Sequence, residues 1–103
     1  MLAFDVILHA GNGKTLAMNA MDAAESNDME DVEKMIEDAE KEVNEAHLLH
    51  KNLLDKIANG QKVEMDLFLT HALDHLTSAE DMIIIAKRFM NLYKKLEGGI
   101  KND

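Results

Sequence analysis

Apolar residues recur at alternating intervals of four and three through the middle of this chain: Val32, Ile36, Ala39, Val43, Ala46, His50, Leu53 and Ile57. That spacing keeps one side of an α-helix apolar over many turns. The positions between carry Glu33, Lys34, Glu37, Asp38, Glu40, Lys41 and Glu42, most simply a solvated face. Ser26-Asn27-Asp28 reads as a break followed by an N-cap. Asp28 is placed to accept from the first free backbone amides, and Glu30 and Asp31 suit the positive end of the helix dipole. Asn59-Gly60-Gln61-Lys62 ends the segment, with Gly60 able to take the left-handed conformation. A helix is therefore expected to about Ala58.

The segments on either side follow the same rule. A first helix is expected from about Leu2 to Glu25, with a small-residue stripe of Val6, Ala10, Gly13, Ala17, Ala20 and Ala24. Phe4, Ile7, Leu8, Met18 and Met21 form a neighbouring stripe of larger groups. Gly11 and Gly13 each cost about 1 kcal/mol against Ala inside a helix, which suggests close approach or space beside a site. A third helix is expected from an Asp66 cap to Glu97, stopped by Gly98-Gly99, with a frayed tail from Ile100 to Asp103. It has two seams. Leu69, Ala72, Leu76, Ala79, Ile83, Ala86, Met90 and Tyr93 make the first; His71, His75, Ser78, Met82, Ile85, Phe89, Leu92 and Leu96 make the second. They lie roughly 100° apart, a wider apolar sector than one helix at the edge of a bundle needs.

Short connections between long helices imply an all-α, antiparallel up-down-up three-helix bundle, a single domain over residues 1–103. One seam of the third helix serves its own core. The other is left for partner chains, which points to a homo-oligomer packed through helix 3, with His71 and Asp74 at or near the subunit boundary.

Composition narrows the function. The net charge of −9, with no basic stripe, argues against nucleic acid and suits encounters with positively charged partner surfaces. Without Cys there is no disulfide, thiolate nucleophile or zinc-thiolate site. No apolar run approaches the ~20 residues that span a bilayer. The stretch from Met1 to Ala10 carries Asp5 and lacks a basic start, a poor signal peptide, so a cytoplasmic protein is expected.

Thr70-His71-Ala72-Leu73-Asp74-His75 carries the chemistry, because side chains at i, i+3 and i+4 share one helix face. The bland alternative is two surface histidines beside a solvated aspartate. One chain offers too few ligands for a closed zinc site, and no His-Glu-x-x-His motif is present. A histidine with an acidic neighbour and no nucleophilic Ser or Cys suits covalent catalysis by the imidazole itself. His71 falls in the second turn of its helix, beyond reach of the free first-turn amides, so side chains or a neighbouring subunit must steady any bound phosphate. Ala10-Gly11-Asn12-Gly13-Lys14-Thr15 imitates a phosphate loop, but Leu8 stands where the Walker pattern needs its first glycine. His50 falls on the core seam, where a hydrogen-bonded core histidine is expected. His47 lies three residues before it, and nothing is read into His9.

Taken together, the chain resembles the lactose/cellobiose-type IIA component of the bacterial phosphoenolpyruvate-dependent sugar phosphotransferase system. Four stretches carry the likeness: Ala10-Gly11-x-Gly13-Lys14-Thr15, Asn44-Glu45-Ala46-His47, Leu69-Thr70-His71-Ala72-Leu73-Asp74-His75-Leu76 and Leu92-Tyr93-Lys94-Lys95-Leu96. The resemblance implies a homotrimer in which His71 is phosphorylated by the carrier protein HPr and passes the group to a IIB cysteine. It implies that His75 supports or contacts the phosphate. It also implies that Asp74 from each subunit shares one divalent ion on the trimer axis, usually given as Mg2+. The system would serve cellobiose-, chitobiose- or lactose-type disaccharides and meet the membrane only indirectly, through its IIC transporter. The chain departs from the family pattern at Leu73, where a polar Gln is common, and at Glu80 and Asp81, which are usually apolar or neutral. The alternative from another class is a non-catalytic helical-bundle interaction module whose His-Asp-His turn is a structural metal clip.

Overall fold

The three apolar seams become three long helices: α1 over Leu2–Glu25, α2 over Met29–Ala58 and α3 over Leu67–Lys101. The computed structural model describes residues 2–60 and 67–101, so the expected Asp66 cap lies outside the described residues. Among the described residues there is no strand. Both ends of α1 and the end of α2 match the expected boundaries. The end of α3 does not, because the helix continues through Gly98-Gly99 to Lys101. Glycine weakens a helix by about 1 kcal/mol yet keeps its backbone donor, so a pair of glycines does not force a stop as proline does.

The turn from α1 to α2 is tight. Asn27 takes the left-handed conformation at φ 63°. The Asp28 amide donates back to the Ala23 carbonyl at 2.9 Å, closing the last turn of α1. Asp28 holds the N-cap position, but its carboxylate makes no capping bond. It hydrogen-bonds the Asp31 carboxyl instead, and that bond, followed by the repulsion between the two charges, raises Asp31 above the ordinary carboxylate range. The expected cap is thus replaced by a carboxyl pair. At the far end of α2, Gly60 takes the left-handed conformation expected of it, at φ 77°.

The small-residue stripe of α1 is the centre of the bundle. Val6, Ala10, Ala17, Ala20 and Ala24 are all fully buried, and α1 packs against both α2 and α3. At Gly13 the approach is closest: an added Cβ would stand 2.7 Å from Val43 Cγ2 and 3.1 Å from the Ala39 carbonyl oxygen. Val32, Ile36, Ala39, Val43, Ala46 and Leu53 of α2 are buried. The first seam of α3 joins them through Leu69, Ala72, Leu76, Ala79, Ile83 and Ala86. His50 is only half-buried, not a core histidine. It lies between Ala46 and Leu53, which are buried, at a position where the seam is only partly covered.

Three polar contacts between α2 and α3 report the direction of α3. His47 meets Glu80 at 3.4 Å, Glu40 meets Lys87 at 3.2 Å, and Glu33 meets Lys94 at 2.6 Å. Each step of seven residues back along α2 is a step of seven forward along α3, so the two helices run antiparallel in one register. Such exposed pairs add little stability, and their information lies in the alignment. The resulting rod measures 63 × 18 × 17 Å. No described helix is long and apolar enough to cross a membrane.

Two outcomes test this packing. Gly13→Ala gains about 1 kcal/mol of helix propensity but forces overpacking strain of about 1–3 kcal/mol against Val43 and Ala39. Its urea midpoint should therefore fall; an unchanged or raised midpoint would contradict the close contact. The Lys94 ammonium, by hydrogen bond and then by charge, holds Glu33 below the ordinary carboxylate range. A lowered carboxylate contributes stability above its unfolded value, and that contribution is lost as pH falls through the folded value. Lys94→Met should bring Glu33 back toward its ordinary range in an NMR titration.

Candidate functional site

The His71–His75 turn stands on the second turn of α3, held from beneath by Leu69, Ala72 and Leu76, which are buried. With its inner side locked into the core, this turn displays its other side chains on a fixed backbone. His71 is exposed and His75 half-buried. Their Nε2 atoms lie 3.0 Å apart, and the rings meet edge to face, with centroids 4.4 Å apart and planes at 83°. A hydrogen bond between two ring nitrogens needs one proton between them, so one imidazole donates while the other accepts. The Thr77 hydroxyl donates to the Leu73 carbonyl at 3.0 Å within the same segment.

Asp74 is brought to the same side of α3 but not into the pair. It is exposed and forms no hydrogen bond or ion pair with another described residue. The expected cluster is therefore two imidazoles in contact with a carboxylate beside them. Among the described residues, no group of three or more His, Asp or Glu side chains could hold a metal ion. A carboxylate is a hard oxygen donor suited to magnesium, so Asp74 fits such an ion only where other copies contribute further oxygens.

The second seam of α3 runs on from this turn; Met82 on it packs against the core, while its outer positions stay exposed. Ile85, Leu92 and Leu96 are 49%, 52% and 54% exposed, and Phe89 rests against Tyr93 with ring centroids 5.6 Å apart. Glu80 does not lie on this seam. It faces α2, paired with His47, and together with Glu40 and Asn44 these side chains line an open cavity of about 230 Å³. The contact continues, seven residues on, the register of the Glu40–Lys87 pair. His9 also has a partner, with its Nδ1 2.6 Å from Glu42 Oε2. No sequence signal marked that pair, because 33 residues separate the two. The Gly13-Lys14-Thr15 stretch lies inside α1, where its amides serve the helix and no phosphate-cradling loop forms.

Comparison with known proteins points to one family. Residues 1–94 match the family described as "PTS system, Lactose/Cellobiose specific IIA subunit". The "Lichenan-specific phosphotransferase enzyme IIA component" of Bacillus subtilis (strain 168) is 40% identical over 95 residues, which cover 92% of this chain and 86% of that protein. The crystal structure of the PTS cellobiose-specific enzyme IIA from Bacillus anthracis superimposes with a TM-score of 0.89 at 36% identity, covering 94% of this chain and 89% of that one. The IIA(Chitobiose)–HPr complex of the Escherichia coli phosphotransferase system, solved in solution, matches with a TM-score of 0.81 at 26% identity, covering 93% of each chain. A three-helix rod of this length, a family match over nearly all of it and relatives of the same kind on both measures agree: the chain belongs to the lactose/cellobiose-specific IIA subunits of the sugar phosphotransferase system, and is a phosphotransferase component of disaccharide transport.

Proposed function

We propose that the chain is a phosphoryl carrier whose acceptor is His71, with phospho-HPr as donor and a IIB cysteine as recipient. The observation that carries this reading is the exposed His71 imidazole hydrogen-bonded to His75 at 3.0 Å, on a turn fixed by core residues. A neutral ring nitrogen of His71 attacks the phosphorus of the donor's phosphohistidine in line; one N–P bond forms as the other breaks. In the second step the cysteine thiolate attacks, an S–P bond forms, and the N–P bond to His71 breaks, returning the lone pair to the ring. Little covalent work falls to the protein, so the rate depends on positioning and charge stabilisation. His75 is suited to this, since a ring N–H aimed at His71 can turn to a phosphoryl oxygen once the group arrives. The likeness to a IIA–HPr complex supports HPr as the donor.

A homotrimer packed through α3 accounts for the seam that the chain itself leaves open. Asp74 of each subunit would then face its copies at the three-fold axis, where three carboxylates repel one another and burial raises the cost of charging them. A shared divalent ion, probed as Mg2+, would neutralise that charge, with Asp74 as the ligand from each chain. The disaccharide is recognised elsewhere in the system, since nothing at the His71 turn resembles a sugar cleft.

Two experiments test these roles. His71→Gln should abolish acid-labile phosphate uptake from a phosphoenolpyruvate-driven relay while circular dichroism stays unchanged. Uptake on His75 or His47 in that variant would overturn the assignment. His75→Gln should still be labelled, but more slowly by roughly ten- to hundred-fold, the worth of one hydrogen bond to a charged group. In sedimentation, chelation should loosen the wild-type trimer. Asp74→Leu should remain trimeric with or without chelator, because apolar replacement of buried charge is often neutral or stabilising. A wild-type monomer in excess magnesium would sink the shared-metal trimer.

A further inference from the structure

Two asparagines of the chain are followed by glycine, in Asn12-Gly13 and Asn59-Gly60, and the others precede residues that carry a side chain. The backbone nitrogen after an asparagine can close a cyclic imide onto the side-chain amide carbon, and glycine, with no Cβ, leaves that approach open. Closure requires the nitrogen to leave its hydrogen bond and the asparagine ψ to turn away from its helical value. As dipeptides the two pairs are identical, so any difference between them comes from the fold.

At Asn12-Gly13 the fold holds both residues still. The pair lies inside α1, where the Gly13 amide belongs to the helical ladder and rotation about the Asn12 ψ would break the helix midway. Gly13 is also locked against α2, with the space of a Cβ only 2.7 Å from Val43 Cγ2. At Asn59-Gly60 neither restraint applies. Asn59 is the C-cap of α2, at φ −87° and ψ 11°, and both residues are exposed. Gly60 is already left-handed at φ 77°, with open space where a Cβ would stand. Its amide donates to the Ile57 carbonyl at 3.1 Å, whereas the Asn59 amide donates to Asp55 at 3.0 Å. Turning the Asn59 ψ therefore frays the Gly60 bond and leaves the ladder of α2 intact behind it.

We propose that Asn59 is a site of spontaneous covalent modification, at which its side-chain amide is lost by attack of the Gly60 nitrogen and isoaspartate accumulates at the end of α2. The Gly60 nitrogen gives its proton to a solvent base and bonds to Asn59 Cγ. The bond from Cγ to the side-chain nitrogen breaks, and that nitrogen takes a proton from water and leaves as ammonia. Water then opens the imide. Attack at Cγ gives aspartate, and attack at the backbone carbonyl carbon leaves the chain linked through Cγ as isoaspartate. Both steps need only water and a base. Either product adds a carboxylate to a chain already at −9, and places it at the negative end of the α2 dipole. In the register of His47–Glu80 and Glu40–Lys87, the end of α2 is level with the first turn of α3, so the change falls at the end of the rod that carries His71.

Ageing of the folded wild type and of Asn59→Gln at mildly alkaline pH, followed by peptide mass spectrometry, tests the assignment. Loss of the amide is read as the mass gain of an amide-to-acid exchange, and isoaspartate as acceptance of a methyl group from an isoaspartyl methyltransferase. Modification at Asn59 should outpace that at Asn12 by roughly ten-fold or more, since opening at a helix end costs less than opening within the helix. In concentrated urea the two rates should converge, because the dipeptides then differ in nothing the fold imposes. Glutamine requires a larger ring, so Asn59→Gln should lose nearly all methyl acceptance while its circular dichroism matches the wild type. Equal rates at Asn12 and Asn59 in the folded protein, or a rate at Asn59 no faster than at Asn52 before leucine, would overturn the proposal. Undiminished methyl acceptance by Asn59→Gln would do the same.

Discussion

The close contact of α1 with α2 at Gly13 sets the dimensions of the whole rod. With alanines above and below it and no side chain at Gly13, the helix comes near enough for Val43 and the Ala39 carbonyl to occupy the space of a Cβ. A bundle held this tightly is only about two helices wide, 18 × 17 Å in cross-section. Its core is made of small and medium residues, and each helix spends one narrow stripe on it. Helix α3 has more apolar surface than that stripe uses. The excess, at Ile85, Leu92 and Leu96, is left on the outside together with the His71 turn.

This division places the imidazole pair and the exposed apolar positions on neighbouring parts of one helix. The inner side of the turn, at Leu69, Ala72 and Leu76, is immobilised by packing, so the imidazoles opposite do not depend on a loop for their position. The proposed role of His71 needs an imidazole that partners can reach, and His71 is exposed. Orientation is supplied by a second imidazole at hydrogen-bond distance. No buried charge is involved: among the described residues no buried side-chain nitrogen or oxygen lacks a partner, and the ionic contacts lie on the surface.

The positions that the sequence singled out as unusual, Leu73, Glu80 and Asp81, take on meaning in this light. Glu80 is not on the second seam of α3; it faces α2 and continues, with His47, the series formed by Glu40–Lys87 and Glu33–Lys94. Leu73 is half exposed on a different side of α3 from His71, two residues and therefore about 200° away. Neither change removes a group from the imidazole pair. Asp81 is exposed, and nothing in the structure explains it.

Periodicity alone determined the three helices, their core stripes and the surplus seam on α3, because burial must follow the 3.6-residue repeat whatever the neighbours are. The motif around His71 was equally legible, since i, i+3 and i+4 positions share a face in any helix. Ends and partners were not. Gly98-Gly99 looked like a stop, but a glycine pair weakens a helix without deleting a donor. Asp28 occupies the cap position, but its carboxylate turned to Asp31 instead of the amides. Sequence grouped Asp74 with both histidines, whereas side-chain direction joined only His71 and His75. Contacts between helices, such as His9 with Glu42 and His47 with Glu80, depend on the rotation and register of one helix against another. Those are properties of the packed bundle: a local repeat says which side of a helix is buried, and only the tertiary structure decides what lies opposite it.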